Sequence, residues 1–528
     1  MHRQRGSPTL RLWSTSQGLG CWIRCWRWCS LLLFIGLQVL LLTTLLEVPA
    51  GTPSDVPVSA PPSSSAPSGA ISIAHLAQNK ASQACSFSSS SSLRLGSRKL
   101  HKLSFFHQVT ALSLHKGTLS VKHLSYNPKI VSLFPLLCSA LPFLSPRHLA
   151  NQEPLHFILS CCDLPLPIIL TQNQKNSKEE QAGERASTSS NLLFPTFADQ
   201  IFVPLHDPYV VASLTEAQQK EATAFASMHN AVLALPTKSR GLWMMLPKEE
   251  GGYITNYERM RQQLLDEGNE RTSPWKERSD VPFWKGQLAY NKAVGYSHMD
   301  HPRVQLVRLS QKQPHCVHAR FTPIADKHAS HGTYMPEDLK AMVEAPSPIR
   351  YADHKYLVHV GNAGYADRLW QLLLSGSTVL WMEDGWQEWW YHFLQPWQHY
   401  VPIRMDASDL CERVEWLRAH PEEGERIAAN GRQLVERLLT WENVVNYTAH
   451  VVDTYLESCG SLLAAQRNTK MFRWLGEGKN VPLCSVTGYG AGGRGEGVWD
   501  PLIREAGGDT VDEMMEAVHA AIKKKLKA

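Results

Sequence analysis

An α/β fold with a parallel sheet is predicted, and three stretches predict it. KYLVHVGNAGYADRLWQLLLSGSTVLW, residues 355–381, reads as strand, glycine turn, helix, turn and strand. HYVPI reads as a short strand, followed by RMDASDLCERVEWLRAH. There Asp406 or Ser408 stands where a helix cap is wanted, ahead of the apolar positions Leu410, Val414 and Leu417. LHFILSCCDLP, residues 155–165, is an apolar strand ending in an acid. Strands alternating with helices imply a parallel sheet, and ligands in such sheets bind beyond the carboxyl ends of the strands. The turn Gly361 to Gly364 is at such an end.

Each element has its own signal. The 355–381 turn precedes a helix opening with Asp367 and Arg368. Helix N-termini hold phosphate through free N–H groups and the dipole, although a plain strand–turn–helix unit has the same pattern. Two further helices, EEGERIAANGRQLVERLLT and ENVVNYTAHVVDTYLESC, close this region near residue 460. WMEDGWQEWWYHFLQPW, residues 381–397, holds many of the 17 Trp, as a sugar or base pocket or as a dense aromatic core. His359, His392 and His399 match no metal-ligand spacing and read as core or pocket histidines. Residues 93–150 show little clear periodicity. From about residue 470 a glycine-rich patch leads to TVDEMMEAVHAAIKKKLKA, acidic early and basic late, which reads as a solvated terminal helix.

The chain has 528 residues, enough for two or three domains at roughly 150 residues each. A net charge of +5 is small for this length and gives no reason to expect nucleic acid. The 11 Cys include no CxxC pair, which argues against a zinc site. Cys21, Cys25 and Cys29 flank the apolar segment; the other eight permit disulfides of unspecified pairing.

SLLLFIGLQVLLLTTLL, residues 30–46, is uncharged and 17 residues long, at the short limit for a membrane span. Arg3, Arg5, Arg11, Arg24 and Arg27 precede it, so the positive-inside rule puts residues 1–29 in the cytosol and the remainder in the lumen. A cleaved signal peptide is the alternative, since Val48-Pro49-Ala50 loosely resembles a cleavage site; the long basic leader favours an uncleaved anchor. Residues 47–95, rich in Pro, Ser and Ala, read as a disordered stem. Residues 173–190 read as a disordered insertion. Asn446-Tyr447-Thr448 is a glycosylation sequon inside a helical pattern.

These strings together resemble a known family. KYLVHVGNAGYADRLWQLLLSGSTVLW, DGWQEWWYHFLQPWQHYVPI, DASDLCERVEWLRAH and IAANGRQLVERLLT are similar to the protein O-glucosyltransferase and capsule-associated xylosyltransferase group, glycosyltransferase family 90. PFWKGQ, RVQLVRLSQKQP and ARFT extend the match, and LHFILSCCDLP and PTFADQIFVPL extend it more weakly, to about 250 residues in all. The resemblance implies a GT-B pair of Rossmann-like domains: residues 96–280 on the acceptor side and 281–470 on the nucleotide-sugar side, with 471–528 as an extension. It also implies metal-free, inverting transfer of glucose or xylose from a UDP-sugar to a hydroxyl of a protein or polysaccharide in the endoplasmic reticulum or Golgi. The absence of a D-x-D pair agrees with that.

Residue by residue, the resemblance makes Asp163 in CCDLP the base on the acceptor hydroxyl. Arg303 and Arg368 match donor-binding arginines, suited to a growing phosphate charge. Ala363, Gly364, Tyr365, Ala366 and Asp367 match the nucleotide-contacting turn; Glu388 is placed for ribose hydroxyls or for a helix start; Pro204 and Leu205 fall on the acceptor side. The family's donor loop stands here as KGQLAY: Lys285 replaces an Arg, Gly286 stays, and Gln287 replaces a Ser. The expected co-substrate is a UDP-sugar, with no cofactor and no metal. The eroded loop keeps a second reading open, a catalytically weak, membrane-tethered module that binds glycans or a partner protein.

Overall fold

The computed structural model describes residues 109–160, 232–237, 241–248, 253–271, 274–288, 301–325, 334–361, 366–459, 479–486 and 510–527, with short pieces between 79 and 84 and between 168 and 219. The basic leader, the apolar run 30–46, most of the stem and residues 173–189 lie outside them. No helix among the described residues is long and apolar enough to cross a membrane.

The region without clear periodicity holds the start of a six-stranded sheet. β1 (Val109–His115) turns into β2 (Thr118–His123) through Lys116 and Gly117, both left-handed at φ 49° and 70°. Such a two-residue turn matches the twist of a hairpin. β1 is buried on both faces as far as Leu114, so it shows no apolar–polar alternation. Two short helices follow, α1 (Leu133–Ala140) and α2 (Pro146–Leu149), then β3 (Leu155–Ser160), antiparallel to β1. β4 (Ile168–Gln172) and β5 (Ser190–Phe194) form a separate hairpin. β6 (Thr196–Ala198) lies parallel to β3, β7 is Ile201–Phe202, and β8 (Val232–Ala234) lies parallel to β6. This sheet is therefore mixed rather than purely parallel. An antiparallel pair, β9 (Met245–Pro247) and β10 (Tyr253–Thr255), leads to α3 (Asn256–Arg271).

The second sheet is wholly parallel, as the sequence predicts. Its strands are β11 (Phe283–Gly286), β12 (His318–Phe321) after α4 (Pro302–Lys312), and β13 (Tyr356–Val360). After α5 (Leu369–Leu374) come β14 (Thr378–Met382), the two-residue β15 (Trp386–Gln387) and β16 (Val401–Ile403). The order is β12-β11-β13-β14-β16. Every residue of β13 and β14 is buried, which is why both read as unbroken apolar runs. α6 (Leu410–Ala419), α7 (Pro421–Leu438) and α8 (Trp441–Ser458) follow. The cap expected at Asp406 or Ser408 is neither: Asp409 holds the N-cap position of α6. Its Oδ1 accepts from Arg404 N at 2.8 Å, while Asp406 Oδ1 accepts from Ser408 N at 3.0 Å, so both acids organise the turn before the helix.

Gly431 on α7 faces α5. A Cβ there would lie 2.7 Å from the His399 carbonyl oxygen and 2.8 Å from Leu373 Cδ2. The first neighbour is backbone and cannot swing aside. Gly431→Ala is expected to destabilise the protein by about 2 kcal/mol despite better helix propensity, read as a lower urea midpoint.

The C-terminal part joins the first sheet rather than standing apart. β17 (Val481–Ser485) pairs antiparallel with β2. α9 (Val511–Lys527) buries Met515, Val518, His519 and Ile522, so only one of its faces is solvated. The His519 ring nitrogen bonds the Ser125 carbonyl at 2.8 Å. α8 also belongs here: Tyr447 donates to the Ala234 carbonyl at 2.8 Å, and Asp453 Oδ1 accepts from Ser145 N at 2.7 Å and meets His148 Nδ1 at 2.8 Å. The disulfide Cys138–Cys484 closes a loop of 346 residues; a second, Cys316–Cys411, ties the entry of β12 to α6. Cys138→Ser should cost about 3 kcal/mol through the freed unfolded chain, seen as a lower Tm.

Candidate functional site

The site lies where the parallel strands end. β11 ends at Gly286 and β13 at Val360, and β14 ends at Met382, in register with Val360. α4 begins beside them, and His301 Nδ1 accepts from Arg303 N at 3.1 Å to cap it. That cap stands two residues before Arg303, and sequence reasoning assigned it no role.

Arg303 is buried. Its Nε donates to the Gly361 carbonyl at 2.8 Å, and its two terminal nitrogens donate to Gln287 O at 2.5 Å and Val360 O at 2.9 Å. One guanidinium thus holds the ends of β11 and β13 together. Arg368, at the N-cap of α5, donates to the Lys285 carbonyl at 2.7 Å. Both guanidinium carbons lie near the ring of Trp284, at 5.4 Å for Arg303 and 5.7 Å for Arg368. A ring that faces two cations offsets part of their repulsion. A Cβ on Gly286 would come within 3.0 Å of that same ring, so glycine keeps the indole in place.

Acids accumulate around this pair. Asp384, two residues beyond β14, is buried, and its Oδ1 accepts from Trp386 N at 3.2 Å across Gly385, which sits at φ 83°. Burial pushes its carboxyl up to about 7, against the pull of that amide and of Arg303. Glu388 is buried too, with Tyr391 Oη at 3.4 Å from Oε1. Burial, then Glu388 and Asp384, hold the Tyr391 phenol well above its ordinary range. His359 on β13 is kept neutral by burial, and then by Arg368 and Arg303. Burial and Arg368 also pull the Arg303 guanidinium down, while three carbonyl acceptors favour its charge.

Of the residues expected at the site, the structure brings together Arg303, Arg368, Gly286, the main chain of Lys285 and Gln287, and the segment at Ala366 and Asp367. The Lys285 side chain does something else. Its ammonium pairs with Glu344 at 3.2 Å and donates to Ser347 at 3.0 Å, in a cluster that includes Arg320, also 3.2 Å from Glu344. Strand alternation puts it opposite Trp284. Asp163, Pro204, Leu205, Ala363, Gly364 and Tyr365 lie outside the described residues. Asn446 lies within α8, where Tyr447 and Thr448 are buried and Thr448 Oγ1 donates to Val444 O at 2.8 Å. Among the described residues, no group of three or more His, Cys, Asp or Glu side chains is placed to hold a metal ion. The family resemblance matches Asp384, with Trp386 and Glu388, but gives Asp384 no role; its burial beside Arg303 is a tertiary fact.

The site is reinforced from the first half of the chain. β15, just past Asp384, pairs antiparallel with β7, Trp386 opposite Phe202 and Gln387 opposite Ile201.

Residues 243–466 match the sequence profile described as Glycosyl transferase family 90. Protein O-glucosyltransferase 2 of Danio rerio is 29% identical over 184 residues, 35% of this chain and 34% of that protein. Protein O-glucosyltransferase 1 of Homo sapiens is 25% identical over 182 residues, 34% of this chain and 43% of that protein. The alignments thus span less than half of these relatives. Among solved structures, Anabaena Alr3699/HepE in complex with UDP-glucose is 10% identical, covering 51% of this chain and 72% of that one with a TM-score of 0.24. The matched segment runs from Trp243 beside β9 to beyond α8, taking in the whole parallel sheet and both arginines. Through residues 243–466, the chain is similar to glycosyl transferase family 90.

Proposed function

We propose that this chain is a UDP-sugar-dependent glycosyltransferase acting on a hydroxyl of a protein acceptor in the secretory pathway. The observation that carries the reading is the convergence of Arg303 and Arg368 over Trp284 at the carboxyl ends of β11 and β13. Two guanidinium charges beside a helix start are what a diphosphate leaving group needs. In this reading Arg303 braces the cleft, and Arg368 with the main chain at Ala366 and Asp367 faces the diphosphate. Glu388 is placed for ribose hydroxyls. Asp163 takes the acceptor proton, the hydroxyl oxygen attacks the anomeric carbon from the face opposite UDP, and the configuration inverts. Arginines and amides do the work a metal ion does elsewhere, so EDTA should leave the rate unchanged. The parallel sheet and the mixed sheet would form the two halves of a GT-B enzyme, tethered by residues 30–46 as a type II anchor.

The test is a donor panel. The full chain is expected to release UDP from UDP-glucose or UDP-xylose, faster with a folded acceptor domain. No binding of UDP and no turnover with either sugar would sink the proposal. A catalytically weak, membrane-tethered binding module is the second reading. The engagement of Lys285 with Glu344 and Ser347 favours it, because the altered loop then offers no side-chain charge to a donor. UDP binding without turnover would support that reading.

A further inference from the structure

Asp384 has no part in the mechanism above, yet it is a buried carboxyl inside a cationic site. Its position is built by three features. It follows β14 by two residues, level with the end of β13 that Arg303 clamps. The left-handed Gly385 folds the chain so that Trp386 N reaches back to its Oδ1. The β15–β7 pairing holds Trp386 and Gln387 in place. The charged and titratable groups that act on it are Arg303 on α4, Glu383 just past β14 and Tyr391 after β15; Asp367 and Arg368 before α5 and His359 on β13 surround Arg303 in turn, and Glu388 adjoins Tyr391.

In that shell Asp384 offsets part of the Arg303 charge. A diphosphate arriving at Arg368, beside Arg303, brings two negative charges of its own. The buried carboxylate then faces like charge in a poorly solvated pocket, where the neutral acid is the lower-energy form. We propose that Asp384 is the exchangeable counter-charge of Arg303, and that binding of a nucleotide diphosphate sugar at the neighbouring Arg368 is coupled to uptake of one proton from solvent onto the Asp384 carboxyl. The inference rests on the donor-site reading above and adds to it a positioning residue whose charge state sets donor affinity.

The neighbours support this assignment. His359 is already neutral, and Tyr391 is held far above the range, so neither adds a titration near neutrality. The Asp384 carboxyl itself lies at about 7. A group that must be protonated in the complex and is half-protonated near neutrality before binding makes affinity fall as pH rises above that point. Linkage limits the slope to about tenfold per pH unit for one proton.

The experiment is calorimetric titration of the full chain with UDP-glucose, whose diphosphate diester does not itself titrate near neutrality. It is run from about pH 6 to about pH 8.5, in buffers of different ionisation heat. Kd is expected to rise roughly tenfold or more across this range, with uptake approaching one proton per site at the alkaline end. Asp384→Asn, which keeps the acceptor for Trp386 N, is expected to bind with a pH-independent Kd, tighter than wild type at the alkaline end. A flat wild-type profile without proton uptake overturns the inference while leaving the donor site standing, as does a variant that keeps the slope. Absence of UDP-glucose binding at every pH overturns the donor-site reading and this inference with it. A carboxyl that merely braced the turn would shift stability but not the number of protons exchanged.

Discussion

Asp163→Asn is expected to lower sugar transfer about a thousandfold while UDP binding is kept. The magnitude is that of general-base catalysis, roughly two to four orders, or about 4 kcal/mol of transition-state stabilisation. Asn is isosteric and accepts a hydrogen bond, but it cannot take a proton from the acceptor hydroxyl. Asp163 follows the last residue of β3 by three positions in the sequence, and β3 is an inner strand of the first sheet. Initial rates with saturating donor, alongside UDP affinity, measure the effect. Retained turnover would remove Asp163 from the role; loss of both rate and UDP affinity would point to misfolding.

Arg303→Ala should have the largest effect on the fold, about 3–4 kcal/mol of lost stability. Three main-chain carbonyls at Gly361, Gln287 and Val360 lose a charged donor, and two of these bonds lie fully inside the protein. Each unmade buried bond costs about 1 kcal/mol or more, and charged donors cost more. The Asp384 carboxyl also loses a compensating cation. Arg303→Lys keeps the charge but not the fork, and is expected to recover less than half of the loss. Urea unfolding reads the stability, and UDP binding by the folded fraction reads the site, where affinity should drop at least tenfold. A variant as stable as wild type would show that the clamp is not a structural one. For Arg303 the family resemblance points to donor contact, and the structure adds that its donors hold main-chain carbonyls, which makes it a brace for the cleft.

Asp384 bears on stability with a definite sign. Its carboxyl is raised in the folded protein to about 7, from an ordinary 3.8. Between those values the folded state holds a proton that the unfolded chain has released, so stability declines as pH rises from about 4 to about 7. The same carboxylate that weakens the empty protein at neutral pH is the one that diphosphate binding would neutralise.

β13, β14 and β16 were legible because they are buried on both faces, whereas β11 and β12, only partly buried, gave no such run. β13, α5 and β14 fall where the 355–381 string puts them, and α7 and α8 follow from their periodicity. The first sheet was not legible. β1 lacks alternation, and β17 completes its edge from 358 residues away, a partner no local pattern names. The α6 cap was misread because Asp406, Ser408 and Asp409 are all competent cap residues within four positions, and local sequence does not choose among them.

What the sequence by itself determined is the α/β class of residues 350–460, the order of their elements and the chemical types gathered there: glycine turn, arginines, acids and tryptophans. Those follow from local propensity and burial pattern, which the chain carries at each position. What only the tertiary structure decided is the direction of side chains on shared strands. Lys285 and Trp284 are neighbours, yet one turns to Glu344 and the other lies beneath two arginines. The reason is physical: a charge is assigned by the dielectric and the partners around it, and both come from parts of the chain remote in sequence.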